Sequence, residues 1–496
     1  MTVAIPQNPH LLEINTFCFL SRMRRKYQQH LTLSEIPHQE WEAMAEAGFH
    51  MVWLMGVWER SPGSRASALA HGGLRSQYDL ALPEWEETNV RGSPYAIHSY
   101  QLDPFLGTPD ELYVVKDLIN AAGLSLILDF VPNHLSLDHP WTEEHPDFFV
   151  RGSPDDLKQH PGLFFEILNG SVLAHGKDPY FDAWQDTAQI NFFSPGARGA
   201  LIRKLVDLSQ LTDGVRCDMA MLALNEVFQN TWRGFIDGFS HPRVEFWKEA
   251  IDNVHYLCPD FLFMAEVYWG LEKELLGLGF DYTYDKRLYD LLSNGSSGQI
   301  NDYLRNDPVA QKKSVRFIEN HDEPRARSRF GLEKSLAAAA IAGTIPGLHL
   351  FHDGQREGYT VRVPVQLDRH ISEVSDQLSS DFYRRLLTFT SQQVFRDGTW
   401  EPLVLSPAWE GNMRYCNLLA WSWRMGSDLR IIVVNFAAES SQARVSIPPG
   451  LIDTDPVILT DLMTGAVYER DPGELSRLGL YVDLSAWKTH LFSVSP

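Results

Sequence analysis

The sequence predicts an α/β protein: a (β/α)8 TIM barrel with an inserted lid subdomain after strand 3 and a C-terminal all-β sandwich domain. Three observations carry this prediction. Apolar runs of strand length alternate with helical patterns from about residue 45 to residue 390, and regular β-then-α order is typical of a parallel sheet. Several of these runs end in a residue capable of acid or base chemistry, as at the mouth of a barrel. After about residue 392, short alternating runs replace the helical period.

The strand candidates are short runs of Leu, Ile, Val and Phe bounded by turn residues. Six clear candidates lie at 50–55, 124–129, 214–218, 261–266, 315–319 and 348–351, and weaker ones lie around Tyr78 and at 280–284. Together they give the eight strands that close a barrel. Helical candidates with apolar residues at i, i+3 and i+4 spacing lie at 33–47, 108–122, 197–211 and 243–256.

The lid and the C-terminal domain are predicted from spacing and composition. More than sixty residues separate the strand ending at Asp129 from the helix starting near Ala197, which is too many for an ordinary βα loop. This segment is rich in Pro, Gly, Asp and aromatic residues, as expected of a lid over a polar pocket. The predicted boundaries are 1–134 and 193–392 for the barrel, 135–192 for the lid and 393–496 for the sandwich. Strand candidates of the sandwich lie at 417–423, 430–435, 443–447, 457–459 and 479–484.

Composition limits the partners. The chain has 496 residues, of which 44% are hydrophobic, enough core for two or three domains. Lys and Arg number 43 against 64 Asp and Glu, so the formal charge of −21 repels polyphosphates and anionic lipid surfaces. We expect no nucleic-acid partner and no membrane, and no oligomeric state is predicted. The first residues lack the basic start and apolar run of a signal peptide, which favours a cytoplasmic location.

Three carboxylates at strand ends indicate acid–base chemistry. Asp218 follows the run GVRC, Glu266 follows LFMA, and Asp322 follows VRFIENH. Cleaving a glycosidic bond requires two carboxyl groups, one to attack or to activate water and one to protonate the leaving oxygen. Arg216 lies two residues before Asp218, so both side chains face the same side of the strand. A cation there would hold Asp218 ionised.

Each of these residues, taken alone, has a structural explanation. An Asp at the end of a strand usually caps the next helix, and a lone Arg often forms a structural ion pair. The joint occurrence of carboxylates after three separate strands, with an Arg two positions before one of them, favours an active site instead. Trp53, Trp58, Tyr268 and Trp269 lie near strand ends, and for each of them core packing is favoured over sugar stacking.

Four segments resemble the short motifs of the α-amylase superfamily, glycoside hydrolase family 13: DFVPNH (129–134), GVRCDMA (214–220), MAEVYW (264–269) and FIENHD (317–322). The resemblance covers roughly residues 14 to 360. It implies that Asp218 is the nucleophile that forms a β-glycosyl-enzyme, that Glu266 is the general acid and then base, and that Asp322 is a stabiliser. It further implies a retaining mechanism on an α-glycoside, with the two main carboxyl groups about 5–5.5 Å apart. The substrate-binding residues it implies are Tyr95, His134, Arg216 and His321.

Two positions depart from the pattern of this superfamily. In its α-glucosidases an Asp that holds the terminal glucose often lies three residues before the equivalent of Tyr95, and Gly92 stands there in this chain. In the lid, Gln189 replaces a common Asp. Asn133 matches a calcium-binding residue of many amylases. We expect no required cofactor and no metal at the site, with a structural calcium ion as the less favoured alternative.

The favoured hypothesis is a retaining glycosidase, an O-glycosyl hydrolase acting on a small soluble α-glucoside in the cytoplasm. Its best candidate substrate is glucosylglycerol, which would give glucose and glycerol. One alternative is an amylase acting on α-glucans or oligosaccharides, and another is a transglycosylase or phosphorylase that passes the sugar to another sugar or to phosphate. A remote alternative from a different class is a non-catalytic, amylase-like binding subunit, which the retained carboxylates argue against.

Overall fold

The computed structural model describes residues 5–447 and 456–495. Residues 1–4, 448–455 and 496, which fall within the predicted barrel and sandwich ranges, lie outside the described residues. A closed barrel of eight parallel strands forms the centre, which confirms the predicted fold class. Numbered in chain order, barrel strands 1 to 8 are His10–Asn15, Met51–Met55, Ser125–Phe130, Gly214–Cys217, Leu262–Ala265, Tyr282–Tyr284, Ser314–Arg316 and Leu348–His352.

Strand 1 closes the ring, and sequence reasoning missed it. It pairs in parallel with strand 2 on one side and with strand 8 on the other. Its sequence, HLLEIN, holds only a short apolar run, because Glu13 and Asn15 interrupt it on the inward-facing side. The strand predicted around Tyr78 is wrong: this residue lies in the helix Gly72–Ala81, whose first turn is capped by the His71 side chain. The predicted number of eight strands is nevertheless correct, because the missed strand 1 and the wrong strand around Tyr78 cancel in the count.

Most of the predicted helices occur with small shifts of their ends. The candidate at 33–47 is a short 3-10 turn followed by an α-helix, and the candidates at 108–122, 197–211 and 243–256 are single helices. The helices of the barrel region are Thr16–Tyr27, His38–Glu46, Pro62–Ala70, Gly72–Ala81, Glu111–Ala121, Pro195–Leu211, Asn225–Thr231, Phe246–Leu257, Glu272–Leu278, Lys286–Asn294, Ser297–Arg305, Pro308–Lys312, Ala326–Phe330, Leu332–Thr344, Gln377–Thr390 and Val394–Asp397. The 3-10 turns are Leu33–Glu35, Glu87–Asn89, Pro146–Phe148, Ala220–Ala223 and Arg414–Asn417.

Alternation along the strands separates two apolar layers, because successive side chains of a strand point to opposite faces. Val215 and Cys217 of strand 4 point outwards and pack with the surrounding helices. Met51, Trp53 and Met55 of strand 2 point inwards and fill the barrel. The same parity sends the side chains of Arg216 and Asp218 inwards, towards the barrel axis and its carboxyl end.

The lid lies between strand 3 and the helix Pro195–Leu211, as the sequence predicts. Its base is a pair of antiparallel strands, His134–Ser136 and Thr187–Gln189, which bring the chain out of the barrel and back again. Above this base lies a three-stranded sheet. Its strands are Arg151–Gly152, Phe164–Glu166 and Val172–Ala174, and the lid helices are Pro140–Glu144 and Pro154–Gln159.

A second excursion follows strand 2, and the sequence did not predict it. The short strands Trp58–Arg60 and Ile97–Leu102 pair with each other. Between them lie the helices Pro62–Ala70 and Gly72–Ala81, and we call residues 61–82 the helical hairpin. Tyr78 of the hairpin is fully buried in a small cluster with Leu367, so the hairpin packs against the loop that follows strand 8.

Two antiparallel sheets form the C-terminal region, which confirms the predicted all-β domain. The larger sheet contains, in spatial order, Thr399–Pro402, Leu418–Met425, Asp428–Asn435, Thr489–Ser495, Val457–Asp461 and Val467–Arg470. The smaller contains Leu405–Pro407, Ser441–Val445 and Leu480–Leu484, and the helix Pro472–Leu478 precedes its last strand. One face of the larger sheet packs on the smaller sheet, and the other joins the core of the barrel region. Within the described ranges no helix is long and apolar enough to cross a membrane.

Candidate active site

A cavity of about 570 Å³ opens at the carboxyl end of the barrel strands. The three carboxylates predicted to carry the chemistry all lie in its wall: Asp218 directly after strand 4, Glu266 directly after strand 5, and Asp322 in the segment after strand 7. Tyr95 and His134 also line it. The structure thus gathers these predicted residues at one mouth, with Arg216 and His321 directly behind them.

Arg216 is the central cation of the site. Its side chain is 1% exposed, and it lies 2.7 Å (Nη1) from Oδ1 of Asp218 and 2.8 Å (Nη2) from Oε2 of Glu266. A third carboxylate oxygen, Oδ1 of Asp129, lies 3.6 Å from Nη1. A buried cation is tolerated only when it is paired and hydrogen-bonded. Arg216 therefore fixes the positions of both principal carboxylates, and its ion pairs with them offset the free-energy cost of burying its charge.

Aromatic rings enclose the guanidinium. Its central carbon lies 5.2 Å from the ring centre of Trp53, 5.3 Å from that of Tyr95 and 5.8 Å from that of Tyr284. At these distances the ring faces attract a cation and exclude water from it. Trp53 is thus a core residue, as predicted, and it lies in the core inside the barrel, directly beneath the carboxylates of the site.

Glu266 is held by two donors besides Arg216. The backbone N–H of Met219 donates to Oε2 at 2.7 Å, and the hydroxyl of Tyr268 donates to Oε1 at 2.8 Å. Burial raises the pKa of Glu266 to about 7; the charge of Arg216 opposes this shift, and the charges of Asp218 and Asp322 reinforce it. A carboxyl group with a pKa near 7 can give a proton and take it back at neutral pH.

Asp218 has an environment of the same kind. Burial raises the pKa of Asp218 above its usual value, and the charge and hydrogen bond of Arg216 act in the opposite direction. Only the effect of Arg216 follows from the spacing of the two residues in the sequence. Because Asp218 and Glu266 share one cation, their titrations are coupled, and protonation of one favours ionisation of the other.

Asp322 belongs to a hydrogen-bonded chain that leads back into the barrel. Nδ1 of His321 lies 2.5 Å from Oε1 of Glu13, while Nε2 lies 2.7 Å from the hydroxyl of Tyr95 and 3.1 Å from Oδ2 of Asp322. Although burial opposes it, the charges of Asp322 and Glu13 raise the pKa of His321 well above its usual value. In turn, against the effect of burial, His321 holds the pKa of Asp322 well below its usual range. Asp322 is therefore ionised, and its side chain is 46% exposed.

His134 differs from His321 in charge. Burial lowers the pKa of His134 to about 4, so its imidazole is neutral at the cavity wall. Its ring centre lies 4.9 Å from that of Trp184 in the lid. A neutral imidazole offers one donor and one acceptor, which suits hydrogen bonds to sugar hydroxyls.

The family model of the α-amylase catalytic domain matches residues 44–399. The chain belongs to the α-amylase family. Its matched region spans barrel strands 2 to 8 and the lid. The resemblance found in the four short motifs is thereby confirmed at the level of the family.

Curated relatives of this α-amylase family chain are distant. It is 26% identical over 394 residues to "Alpha-amylase MalA" of Haloarcula japonica, covering 74% of this chain and 52% of that protein. It is 22% identical to "Alpha-amylase 3" of Dictyoglomus thermophilum, covering 57% of each. It is 24% identical to "Probable oligo-1,6-glucosidase 2" of Bacillus subtilis, covering 53% and 55%. The chain spans about half the length of these relatives.

Solved α-amylase structures share the fold. The maltogenic α-amylase AmyB of Thermotoga neapolitana superposes with a TM-score of 0.68 at 17% identity, covering 99% of both chains. The α-amylase of Lactobacillus plantarum superposes with a TM-score of 0.68 at 18% identity, covering 98% of both. At such identities the likeness extends to the fold, including the C-terminal sheets.

Gly92 marks where this member of the α-amylase family departs from the expected pocket. Its φ of +89° is a left-handed conformation, and an added Cβ would lie 2.9 Å from the backbone nitrogen of Arg65 and 3.2 Å from its Cα. Backbone atoms cannot swing aside as a side chain can. The helical hairpin therefore fills the space that a side chain at position 92 would need, and forms that part of the wall itself.

Asn133, which matches a calcium-binding residue of many amylases, is paired with Gln189 of the lid. Nε2 of Gln189 donates to Oδ1 of Asn133 at 3.0 Å, and Nδ2 of Asn133 donates back to Oε1 of Gln189 at 3.3 Å. These neutral amides satisfy each other, whereas calcium sites are built from several oxygens that include carboxylates. Across residues 5–447 and 456–495, no group of three or more His, Cys, Asp or Glu side chains is arranged to hold a metal ion. The residues around Asn133 do not fit calcium.

Sequence reasoning missed several residues of the site. Glu13 was missed because strand 1 was not recognised; its signal was a charged residue inside a short apolar run, since an inward-facing charge in a barrel strand needs a partner. Tyr268 was interpreted as a core residue, and it lines the cavity. Asp186 and the hairpin residues Ser67 and His71 also line the cavity, and no local pattern in the sequence marks them.

Proposed function

We propose that this chain is a retaining hydrolase of α-glucosidic bonds. The observation that carries the proposal is the single guanidinium shared by Asp218 and Glu266. Two carboxylates on neighbouring nitrogens of one Arg favour the separation of about 5–5.5 Å used by retaining enzymes over the roughly 6.5–9.5 Å of inverting ones. The names of its relatives, which include α-amylases and a glucosidase, agree with this reaction class.

In the proposed first step, Asp218 attacks the anomeric carbon while Glu266 gives its proton to the glycosidic oxygen. The bond between the sugar and its leaving group breaks, and a glycosyl ester with Asp218 forms. In the second step Glu266 takes a proton from a water molecule, whose oxygen displaces Asp218 and restores the starting configuration. The pKa of Glu266 near 7 supports both directions of proton transfer, and ionised Asp322 binds hydroxyls of the distorted sugar.

The proposed substrate is a small soluble α-glucoside, and glucosylglycerol is the first candidate. The proposed location of the protein is the cytoplasm. The size of the cavity, about 570 Å³, is that of a small-molecule site. Residues of the helical hairpin line the cavity, and we infer that they block an extended glucan chain from continuing past this wall. Both features support a single glucosyl unit with a small leaving group over a long polymer.

The test is a substrate panel: purified protein is incubated with glucosylglycerol, maltose, trehalose, sucrose and soluble starch, and glucose release and the anomer first formed are recorded by proton NMR. We expect α-glucose from glucosylglycerol and none with the Asp218→Asn variant. Release from maltose or starch but not from glucosylglycerol would overturn the substrate. An initial β-anomer would overturn the retaining mechanism, and a lack of any release would favour the non-catalytic subunit.

One observation favours a second candidate, glycosyl transfer. A cavity of about 780 Å³ adjoins the catalytic cavity, and Met219 and Tyr268 line both. A second site next to the acid would suit an acceptor sugar. Some relatives are named maltosyltransferases and one a trehalose synthase. Product analysis with and without added phosphate or acceptor sugars separates the two: a hydrolase gives free glucose in every case, whereas a transferase gives sugar phosphate or a longer glycoside.

A further inference from the structure

We infer that Asp186 binds the glucosyl hydroxyls remote from the cleaved bond and thereby closes the pocket around one terminal glucosyl unit. The inference rests on the proposed function, since it concerns the sugar end of the same site. Asp186 lies at the end of the lid, directly before the strand Thr187–Gln189. It lines the catalytic cavity together with Asp218, Glu266 and Asp322, and it is the carboxylate of this wall that the proposed chemistry leaves without a task.

The position of Asp186 around the barrel decides which part of a sugar it meets. Its side chain contacts the helical hairpin, which follows strand 2, whereas Glu266 follows strand 5. In a ring of eight strands these lie nearly opposite each other. The leaving oxygen on C1 of the sugar faces the acid Glu266, and C4 lies across the pyranose ring from C1. The hydroxyls on the C4 side therefore point towards Asp186.

The carboxylate of Asp186 is oriented in advance. Oγ of Ser64 donates to its Oδ2 at 2.6 Å, and the same Oγ accepts from the backbone N–H of Ser93 at 3.0 Å. Ser64 is 1% exposed, so this anchor is rigid. Within the described part of the chain Oδ1 of Asp186 makes no hydrogen bond and no cation pairs with the group. Hydroxyl-to-carboxylate bonds are among the stronger hydrogen bonds, and a fixed acceptor gains most from them.

The hairpin explains why this acceptor comes from the lid. It blocks any side chain at position 92, where Arg65 backbone atoms lie within 3.2 Å of an added Cβ, so the loop that carries Tyr95 cannot supply a carboxylate there. The same hairpin provides Ser64, which holds Asp186 in place. The hairpin thus excludes a carboxylate at position 92 and holds the carboxylate of Asp186 in place.

The experiment compares p-nitrophenyl α-glucoside with its 4-deoxy and 6-deoxy analogues, for the wild type, Asp186→Ala and Asp186→Asn. The matched control is Asp182→Ala, which changes an exposed lid carboxylate that does not line the cavity. We expect the wild type to prefer the glucoside over at least one analogue by about 10- to 100-fold in kcat/KM, the worth of a hydrogen bond to a charged group. In Asp186→Ala we expect the ratio of kcat/KM values between glucoside and analogue to fall towards one, mainly because KM for the glucoside rises. In Asp186→Asn the ratio should be intermediate, and in Asp182→Ala it should equal that of the wild type.

Each other outcome has one meaning. If the wild type cleaves the glucoside and Asp186→Ala and Asp186→Asn, folded as judged by thermal unfolding, keep its preference, the inference is overturned while the proposed function stands. An equal loss on all three substrates in both variants would assign Asp186 a structural role and would also overturn it. If the wild type cleaves none of the three, the proposed function fails and the inference fails with it.

Discussion

At the scale of single residues, one buried cation governs the titration of its neighbours. Arg216 contacts both Asp218 and Glu266, and their different surroundings support the different tasks proposed for them. Glu266 has two further donors and a pKa near 7. A pair of acids whose environments push their proton affinities apart is a common way to obtain a nucleophile and an acid from the same functional group.

The first prediction concerns pH. With glucosylglycerol or maltose, kcat/KM should fall as the pH rises through about 7, because Glu266 must carry a proton to act as the acid and loses it over that range. The Glu266→Gln variant should lose about 10²- to 10⁴-fold in activity and lack this basic limb. A pH–rate profile measures both, and Glu226→Gln, at an exposed helical position, is the control that should leave the limb unchanged. A limb retained in Glu266→Gln would reassign the acid.

The second prediction concerns Glu13, whose charge stabilises protonated His321. In Glu13→Gln the pKa of His321 should fall, so that the imidazolium form present at neutral pH in the wild type disappears at a lower pH. NMR titration of ¹⁵N-labelled histidine follows this change, and kcat/KM should fall about 10-fold or more because Asp322 loses a charged partner. Glu42→Gln is the control, since Glu42 lies 3.5 Å from His38 on the surface and should affect neither quantity.

At the scale of elements, the helical hairpin distinguishes the pocket of this chain. It packs through Tyr78 on the loop after strand 8 and is tied to the lid, because Oδ2 of Asp138 accepts from the N–H of Gly63 at 2.9 Å. The wall of the cavity is therefore assembled from the excursions of strands 2, 3 and 8. A change in the hairpin should alter which substrates enter without altering the strand ends that hold the carboxylates.

The third prediction tests the close approach of the hairpin to Gly92. Gly92 and Gly234 have nearly the same φ, +89° and +90°, but only Gly234 has open space around an added Cβ. Gly234→Ala should cost about 1–2 kcal/mol in the free energy of unfolding for the left-handed backbone alone. Gly92→Ala should cost a further 1–3 kcal/mol or so for the clash with Arg65. Urea unfolding measures both, and equal costs would contradict the steric argument.

Local sequence pattern predicted those elements whose apolar runs are long. Strand 3 and the helix Pro195–Leu211 are of this kind, and their ends shifted by only one or two residues. Strand 1 was missed because Glu13 and Asn15 interrupt its apolar run. Glu13 is satisfied by His321, a distant partner that no local window contains, and Asn15 accepts from the N–H of Cys18 and caps the next helix. The prediction of a strand around Tyr78, in the hairpin, was wrong for a related reason. Tyr78 is buried against Leu367, and this contact forms only in the folded chain.

At the scale of the whole molecule, the C-terminal domain is an extension of the barrel core. Trp421 and Trp423 of the larger sheet are almost fully buried in the same cluster as the barrel helices. The indole N–H of Trp423 donates to the backbone oxygen of Thr344 at 2.7 Å, which ends the helix before strand 8. Since the two parts share apolar side chains, neither can lose its structure without exposing the core of the other.

The fourth prediction follows from that shared core. Trp421→Ala should cost about 3–5 kcal/mol in the free energy of unfolding, the usual cost of removing a large buried aromatic side chain, and should lower a single, joint unfolding transition. Trp409→Ala should change the stability by less than about 0.5 kcal/mol, because its side chain is 55% exposed. Calorimetry with near-ultraviolet circular dichroism checks this, and two separate transitions would contradict it.

For the molecule as a whole, the sequence predicted the centre of the site better than its rim. Asp218, Glu266 and Asp322 follow strands, so the closure of the barrel brings them together wherever the connecting loops go. Asp186 and Ser64 meet across two excursions whose paths depend on tertiary packing, and no spacing in the chain encodes that meeting. The boundaries proposed for the barrel, lid and sandwich stay predictions for the same reason, since they depend on which segments unfold together.

The closure of the barrel also determines how long one edge of strand 1 stays unpaired during synthesis of the chain. His10 of strand 1 pairs with His349 of strand 8, so one edge of the first strand has no neighbour until the ribosome has added another 339 residues, up to and including His349. At about 5–20 residues per second, that wait is roughly 20 to 70 s. Throughout it the nascent chain displays an open strand edge, the kind of surface on which other chains can pair. Glu13, which pairs with His321 inside the finished barrel, makes this strand less apolar and so less prone to aggregate while its edge is unpaired.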